Sequence, residues 1–282
     1  MASPLFHALP GAAHRGRPFA VLTAVVVLMG ALSVEAAAQP APPPSAEPTI
    51  VLVHGAFADA SSWNGVVELL QEQGHTVLAP ANPLRGIAAD SAYLRSVLNQ
   101  IDGPVLLVGH SYGGAVITNA ATTTPNVLGL VYVSGFAPDQ GEVLSDVESG
   151  SKDSVLNSAL VQQEYPTGQG TETAVEFLIN PDLFREAFAA DLPEKTTALL
   201  AATQRPVAAA AFTEASGPPA WKTLPSWAVV ATGDKAAGSD VVRSMAQRAG
   251  AEIVELEGSH VIMISQPQAV TEVILKALRA VS

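Results

Sequence analysis

The sequence predicts one α/β domain, a mostly parallel sheet with helices on both faces, behind an N-terminal leader. Short β-branched apolar runs alternate with amphipathic stretches of helical spacing. The runs are continuous rather than alternately apolar and polar, as in strands buried on both faces. The chain has 282 residues, 48% hydrophobic and 14% charged. That suffices to bury a core without cross-links, and it excludes a disordered or fibrous protein.

Thr49–His54 (TIVLVH) reads as a buried strand, ended by Gly55. Ser61 or Ser62 can cap a helix running through Gln73, with Trp63, Val66, Val67, Leu69 and Leu70 as its apolar positions. Gly74 stops it. Thr76–Ala79 is a second short strand, and Asp90–Ile101 an amphipathic helix. Gly103-Pro104 punctuates before the strand Val105–Gly109, the helix Tyr112–Thr123 and the strand Val127–Ser134. Later come the strand Ser226–Thr232, the helix Asp240–Ala249, the strand Glu252–Leu256 and a closing helix Pro267–Val281, whose proline suits a first turn.

A middle section, about residues 138–224, interrupts this alternation. Its stretches Asp153–Gln163, Thr171–Ile179, Pro181–Ala190 and Glu194–Thr203 read as helices, with no strand among them. An all-helical insertion after one sheet strand reads as a lid. Leu156, Leu160, Phe177, Leu178, Leu183, Phe184, Phe188, Leu199 and Leu200 either line a pocket beneath it or hold it to the core.

The N-terminus differs from the rest. Arg15 and Arg17 precede an uncharged apolar run, Phe19–Leu32, of 14 residues. A bilayer span needs about 20. The small residues Ala36–Ala38 follow, which predicts a signal peptide over 1–38 with Gln39 as the new N-terminus. Residues 39–48 are Pro-rich and read as an extended tether, leaving 49–282 for the domain. The expected destination is the periplasm or the medium, with no stable membrane span once the leader is removed. There is no cysteine, which suits export and excludes disulfides, thiolate metal sites and a cysteine nucleophile. With 14 Lys+Arg against 26 Asp+Glu the formal net charge is −12, the opposite of a nucleic-acid binder. Nothing in the sequence reports the oligomeric state.

The strongest chemical signal is Gly109-His110-Ser111-Tyr112-Gly113, a G-x-S-x-G pattern between a strand and a helix. That context suits a nucleophile elbow, where a strained serine needs small neighbours. A serine nucleophile needs a base. Of six histidines, His7 and His14 leave with the leader, and His75 lies at the far edge of the sheet. His54 and His110 adjoin other site features and suit positional or pocket roles. His260 follows the last strand and Gly258-Ser259, at the sheet edge where ligands bind in such folds. Asp234, in Thr-Gly-Asp-Lys after the strand Ser226–Thr232, is the leading candidate to orient the histidine. Asp139 and Asp240 are alternatives. The backbone N–H groups of Ala56 and Tyr112 are candidates for an oxyanion hole, and Phe57 for an acyl-pocket wall.

The segments VLVHGAFADASSW, GHSYGG, VYVSGFAPDQGE, ATGDKA and EGSHVIMISQP resemble the α/β-hydrolase superfamily, in the branch of plant methyl esterases, hydroxynitrile lyases and small bacterial esterases. The resemblance spans about Thr49 to Val281. It implies an α/β-hydrolase fold and a serine hydrolase acting on a small-molecule ester without metal or other cofactor. It implies the triad Ser111, Asp234 and His260, with oxyanion donors from Ala56 and Tyr112. The lyases of this branch carry Thr where this chain has Gly55, and Lys where it has Val261, which favours ester hydrolysis over cyanohydrin cleavage. Ala236-Ala237-Gly238 departs from the apolar-Pro pattern usual after the acid. A lyase, a lactone or amide hydrolase, and a non-catalytic receptor of the same fold are the alternatives.

Overall fold

The computed structural model describes residues 47–282. The predicted signal peptide 1–38 and residues 39–46 of the tether lie outside the described residues. In chain order the elements begin with β1 (Thr49–Val53), a 3₁₀ turn at Ala60–Trp63, α1 (Asn64–Glu72), β2 (Val77–Leu78), α2 (Ile87–Leu98), β3 (Val105–His110), α3 (Tyr112–Ala120) and β4 (Val127–Val133). There follow α4 (Leu144–Ser149), α5 (Leu156–Ala159), β5 (Leu160–Pro166), β6 (Thr173–Ile179), α6 (Pro181–Phe188), α7 (Glu194–Thr203), β7 (Val207–Ala208) and α8 (Ala210–Thr213). The chain closes with β8 (Ser226–Ala231), α9 (Ser239–Arg248), β9 (Glu252–Leu256), α10 (Ile262–Ser265) and α11 (Pro267–Val281).

Six strands form one parallel sheet in the order β2-β1-β3-β4-β8-β9. The continuous apolar runs of the sequence form its middle: β3 and β8 are buried at every position. Helices α1 and α11 pack together, as do α2 and α3, while α9 lies against β8 and β9. From β1 the chain moves to β2 on one side and then crosses to β3 on the other. The loops leaving β1 and β3 therefore diverge at a topological switch point, where open α/β sheets bind ligands. The register pairs Val53 with Gly109, so those two loops begin side by side.

Two helix starts differ from the sequence expectation. Asp59, not Ser61 or Ser62, caps the first helical segment, its Oδ1 accepting from the Ser61 N–H at 2.7 Å. Helix α2 begins at Ile87, after Gly86 at φ 149°, rather than at Asp90. Asp90 is buried and turns back to accept the Arg85 N–H at 3.1 Å, satisfying backbone at the start of its own helix.

The insertion between β4 and β8 corrects a larger expectation, because it is not all helical. The expected helix Asp153–Gln163 is helical only over α5 before the chain enters a hairpin, and Thr171–Ile179 forms the second strand of it: β5 and β6 pair antiparallel from Leu160↔Ile179 to Pro166↔Thr173, and β7 adds a third strand. The turn between them carries Gly168 and Gly170 at positive φ, the punctuation a hairpin uses. The sequences LVQQEYP and TAVEFLI do not alternate, but they carry β-branched and aromatic residues that suit strands. Arg85 ties the hairpin to the main domain. Its Nη1 donates to the buried Glu176 of β6 at 2.6 Å, and its guanidinium lies 4.3 Å from the Tyr165 ring centroid. Helices α6 and α7 fall where the sequence placed them.

Candidate active site

Ser111 sits between β3 and α3 with φ 52° and ψ −124°, a conformation that costs about 1–3 kcal/mol and persists only where surroundings enforce it. The enforcing contacts are backbone. Ser111 O accepts from Gly114 N at 2.9 Å and from Phe136 N at 3.1 Å. The glycines around it are steric requirements. A Cβ at Gly109 would stand 2.6 Å from Gly113 O, and one at Gly113 2.4 Å from Val53 O. Gly55, leaving β1, comes so close that a Cβ there would stand 2.7 Å from Ser111 Cβ. The first loop and the serine are thus in direct contact.

His260 and Asp234 meet across the C-terminal ends of β8 and β9. His260 Nδ1 lies 2.8 Å from Asp234 Oδ2, and each residue is 1% exposed. A carboxylate only accepts, so Nδ1 carries the proton and Nε2 is left with its lone pair. The other oxygen of Asp234 accepts from Ala236 N at 2.9 Å and Ala237 N at 3.0 Å. The segment that departs from the apolar-Pro pattern therefore holds the acid through its own N–H groups. The alternative acids are engaged elsewhere: Asp139 pairs with Lys222 at 2.5 Å, and Asp240 accepts from Ser151 Oγ at 2.6 Å and Lys152 N at 2.9 Å.

His54 and His110 are both fully buried and belong to the framework, not to a pocket wall. This corrects the pocket expectation for both. His54 Nε2 accepts from Asn82 N at 2.9 Å, so its Nδ1 carries the proton and donates to Gly55 O at 2.9 Å. Burial pushes the His54 pKa down to about 4, so it braces the β1 loop as a neutral ring. His110 Nε2 donates to the His260 carbonyl at 3.0 Å, and the two rings lie 4.7 Å apart. Burial holds His110 well below the usual histidine range. The Tyr112 side chain also points away from the serine, its hydroxyl donating to Asp90 Oδ2 at 2.7 Å. Its backbone N–H, like that of Ala56, has no acceptor among the described residues.

Phe57 does line a cavity. It shares a space of about 20 Å³, room for roughly one water, with Phe184, Phe188, Leu200, Val261 and Ile264 and with polar residues including Asp59, Ser62 and Gln204. Phe188 of α6 lies 5.0 Å from the His260 ring, and Phe212 of α8 lies 6.4 Å from both Phe57 and Tyr112. Phe184 and Phe188 were visible candidates in the sequence. Phe212 was not, because a single Phe in an irregular stretch carries no periodic signal. Sequence reasoning also missed two acids close to the pair. Asp191 binds Ser259, next to His260, and the buried Glu148 approaches the Asp234 loop through Ser154. Among the described residues no group of three or more His, Asp or Glu is arranged to hold a metal ion, and no helix is long and apolar enough to cross a membrane.

Residues 50–273 match the model of the alpha/beta hydrolase family. The chain belongs to that family. Among curated relatives, a carbendazim hydrolyzing esterase of Nocardioides sp. is 36% identical over 33% of this chain and 44% of its own length. An alpha-hydroxynitrile lyase of Arabidopsis thaliana is 31% identical over 34% of this chain and 43% of its own length. The matched stretch thus spans less than half of these two relatives. The crystal structure of polyneuridine aldehyde esterase superposes with a TM-score of 0.70 at 22% identity, covering 82% of this chain and 99% of that one. This likeness is one of fold.

Proposed function

We propose that this family member is an exported serine hydrolase that cleaves carboxylic esters through an acyl-enzyme. Ser111 is the nucleophile, His260 the general base and acid, and Asp234 the carboxylate that orients the imidazole. One observation carries the reading: the buried 2.8 Å bond between Asp234 and His260, which leaves Nε2 as an acceptor, beside a serine held at positive φ. His260 takes the Ser111 proton as Oγ attacks the ester carbonyl. It then protonates the leaving alcohol, and water repeats the sequence on the acyl-enzyme. The free N–H groups of Ala56 and Tyr112 suit the oxyanion, each worth about 10²–10³ in turnover.

Ser111 is 6% exposed and the adjoining cavity holds roughly one water. Movement of α6, which carries Phe184 and Phe188, would widen this entrance for substrate. The phenylalanines of the lining suit an apolar acyl or alcohol group, while Asp59 and the absence of Lys and Arg from the cavity residues disfavour an anion. The likeness to an alpha-hydroxynitrile lyase supports the lyase alternative, but the residues of the site favour ester hydrolysis. A side chain at residue 55 would collide with Ser111, and Val261 is an apolar buried residue.

The test is a panel of p-nitrophenyl esters of increasing acyl length, a methyl ester, a lactone and a cyanohydrin, run with the wild type and Ser111→Ala. Ester turnover in the wild type and none in Ser111→Ala is expected. Undiminished turnover in the variant removes Ser111 from the chemistry. Cyanohydrin or lactone turnover faster than that of every ester replaces the reaction class. Tight ester binding without turnover makes the protein a receptor.

A further inference from the structure

Two groups outside the proposed triad grip the His260 segment. On the inner side, His110 donates to the His260 carbonyl. On the outer side the grip comes from the lid. Asp191, three residues beyond the end of α6, accepts the Ser259 N–H on Oδ2 at 3.0 Å, and its Oδ1 accepts from Ser259 Oγ. The approach depends on residue 258 being glycine, since a Cβ there would stand 2.8 Å from Asp191 Oδ2. Burial acts to raise the Asp191 carboxyl, but the side-chain and backbone bonds from Ser259 hold it below the usual range. It is therefore ionised at neutral pH and accepts both bonds as a carboxylate. The same stretch of lid carries Phe188 against the His260 ring.

We propose that Asp191 is a positioning residue that makes seating of the lid and alignment of His260 a single event; this rests on His260 being the base. When α6 moves aside to admit substrate, Asp191 moves with it and Ser259 loses both bonds. His260 is then held by Asp234 and His110 alone. When Phe184 and Phe188 close again, the carboxylate restores the loop, and the imidazole is fully oriented only over a closed site. A catalytic base that is aligned in the closed state alone discourages proton transfer while water has free access.

The experiment compares full-length wild type with Asp191→Ala and Asp191→Asn, using p-nitrophenyl butyrate. In the same samples, without substrate, proton NMR follows exchange of the downfield His260 Nδ1 proton, assigned by its loss in His260→Ala. Asp191→Ala is expected to lower kcat about tenfold, with KM within about twofold and an unchanged thermal midpoint. The Nδ1 proton should exchange several-fold faster. Asp191→Asn, which keeps an oxygen for the Ser259 N–H, should recover part of both. Wild-type kcat and exchange in Asp191→Ala overturn the proposal, as does a loss confined to KM or matched by a fall in thermal midpoint. If the wild type hydrolyses no ester, the hydrolase reading falls, and the exchange of the His260 proton alone decides whether the lid positions that ring.

Discussion

Replacing Glu148 by Gln should abolish one specific pH dependence of folding stability. Glu148 lies on α4, 4% exposed. Its Oε1 lies 3.2 Å from Ser154 Oγ, which in turn lies 2.6 Å from the Ala236 carbonyl. A hydroxyl has one proton and a carbonyl only accepts, so the shorter contact takes the serine's proton. The bond to Glu148 is then complete only if the carboxyl itself is protonated and donates. Burial pushes this carboxyl from an ordinary 4.5 up to about 7. The folded state therefore holds this proton more tightly than the unfolded state does. Stability from this group is fully present below pH 4.5, declines as pH rises, and is lost once pH passes about 7. At about 1.4 kcal/mol for each pH unit between those values, the penalty reaches roughly 3 kcal/mol in mildly alkaline buffer. Glutamine keeps the shape, still donates to Ser154 and does not titrate. Urea unfolding of both proteins from pH 4 to pH 9 reads the difference directly, because all other titrations cancel. The gap in favour of Glu148→Gln should widen across that window and then level off. Parallel stability curves would refute the reasoning.

Further expectations follow from the same geometry. Gly55→Ala places a methyl 2.7 Å from Ser111 Cβ, and should lower kcat/KM about 10²-fold on p-nitrophenyl butyrate; wild-type turnover would contradict the close approach. Arg85→Ala leaves the buried Glu176 without its guanidinium. Because Arg85 is itself partly exposed, the loss should be about 1–2 kcal/mol in urea unfolding, with faster amide exchange in β5 and β6. Exchange unchanged in the hairpin would show that the ion pair does not anchor it. N-terminal sequencing of exported protein should begin at Gln39; retention of residues 1–38 would exclude cleavage there.

The central sheet was legible because strands buried on both faces must be written as unbroken apolar runs. Thr49–His54, between Pro48 and Gly55, and Val105–Gly109, after Gly103-Pro104, are such runs. Ser111 and His260 were legible for a related reason: each follows a strand at the sheet edge where chemistry collects. Asp234 led Asp139 and Asp240 in the sequence through its place after the strand Ser226–Thr232, and contacts separate the three more sharply. The hairpin of β5 and β6 was misread because neither strand alternates apolar with polar residues. The glycines of Thr167-Gly168-Gln169-Gly170 were the better evidence. Asp191 and Glu148 left no local trace. In the sequence each is an ordinary surface-type acid, and their importance comes from partners brought up by the fold, as with Asp191 and Ser259, 68 residues apart.

The most direct test of the triad is covalent. Wild-type protein, Ser111→Ala, Asp234→Asn and Asp139→Asn would be treated with a fluorophosphonate, and the adduct located by peptide mass mapping alongside ester turnover. One adduct per chain on the peptide bearing Ser111 is predicted, with none in Ser111→Ala. Turnover should fall roughly 10⁴-fold in Asp234→Asn and stay at the wild-type level in Asp139→Asn. Label on any other serine, or loss of turnover in Asp139→Asn with Asp234→Asn unaffected, would contradict the account.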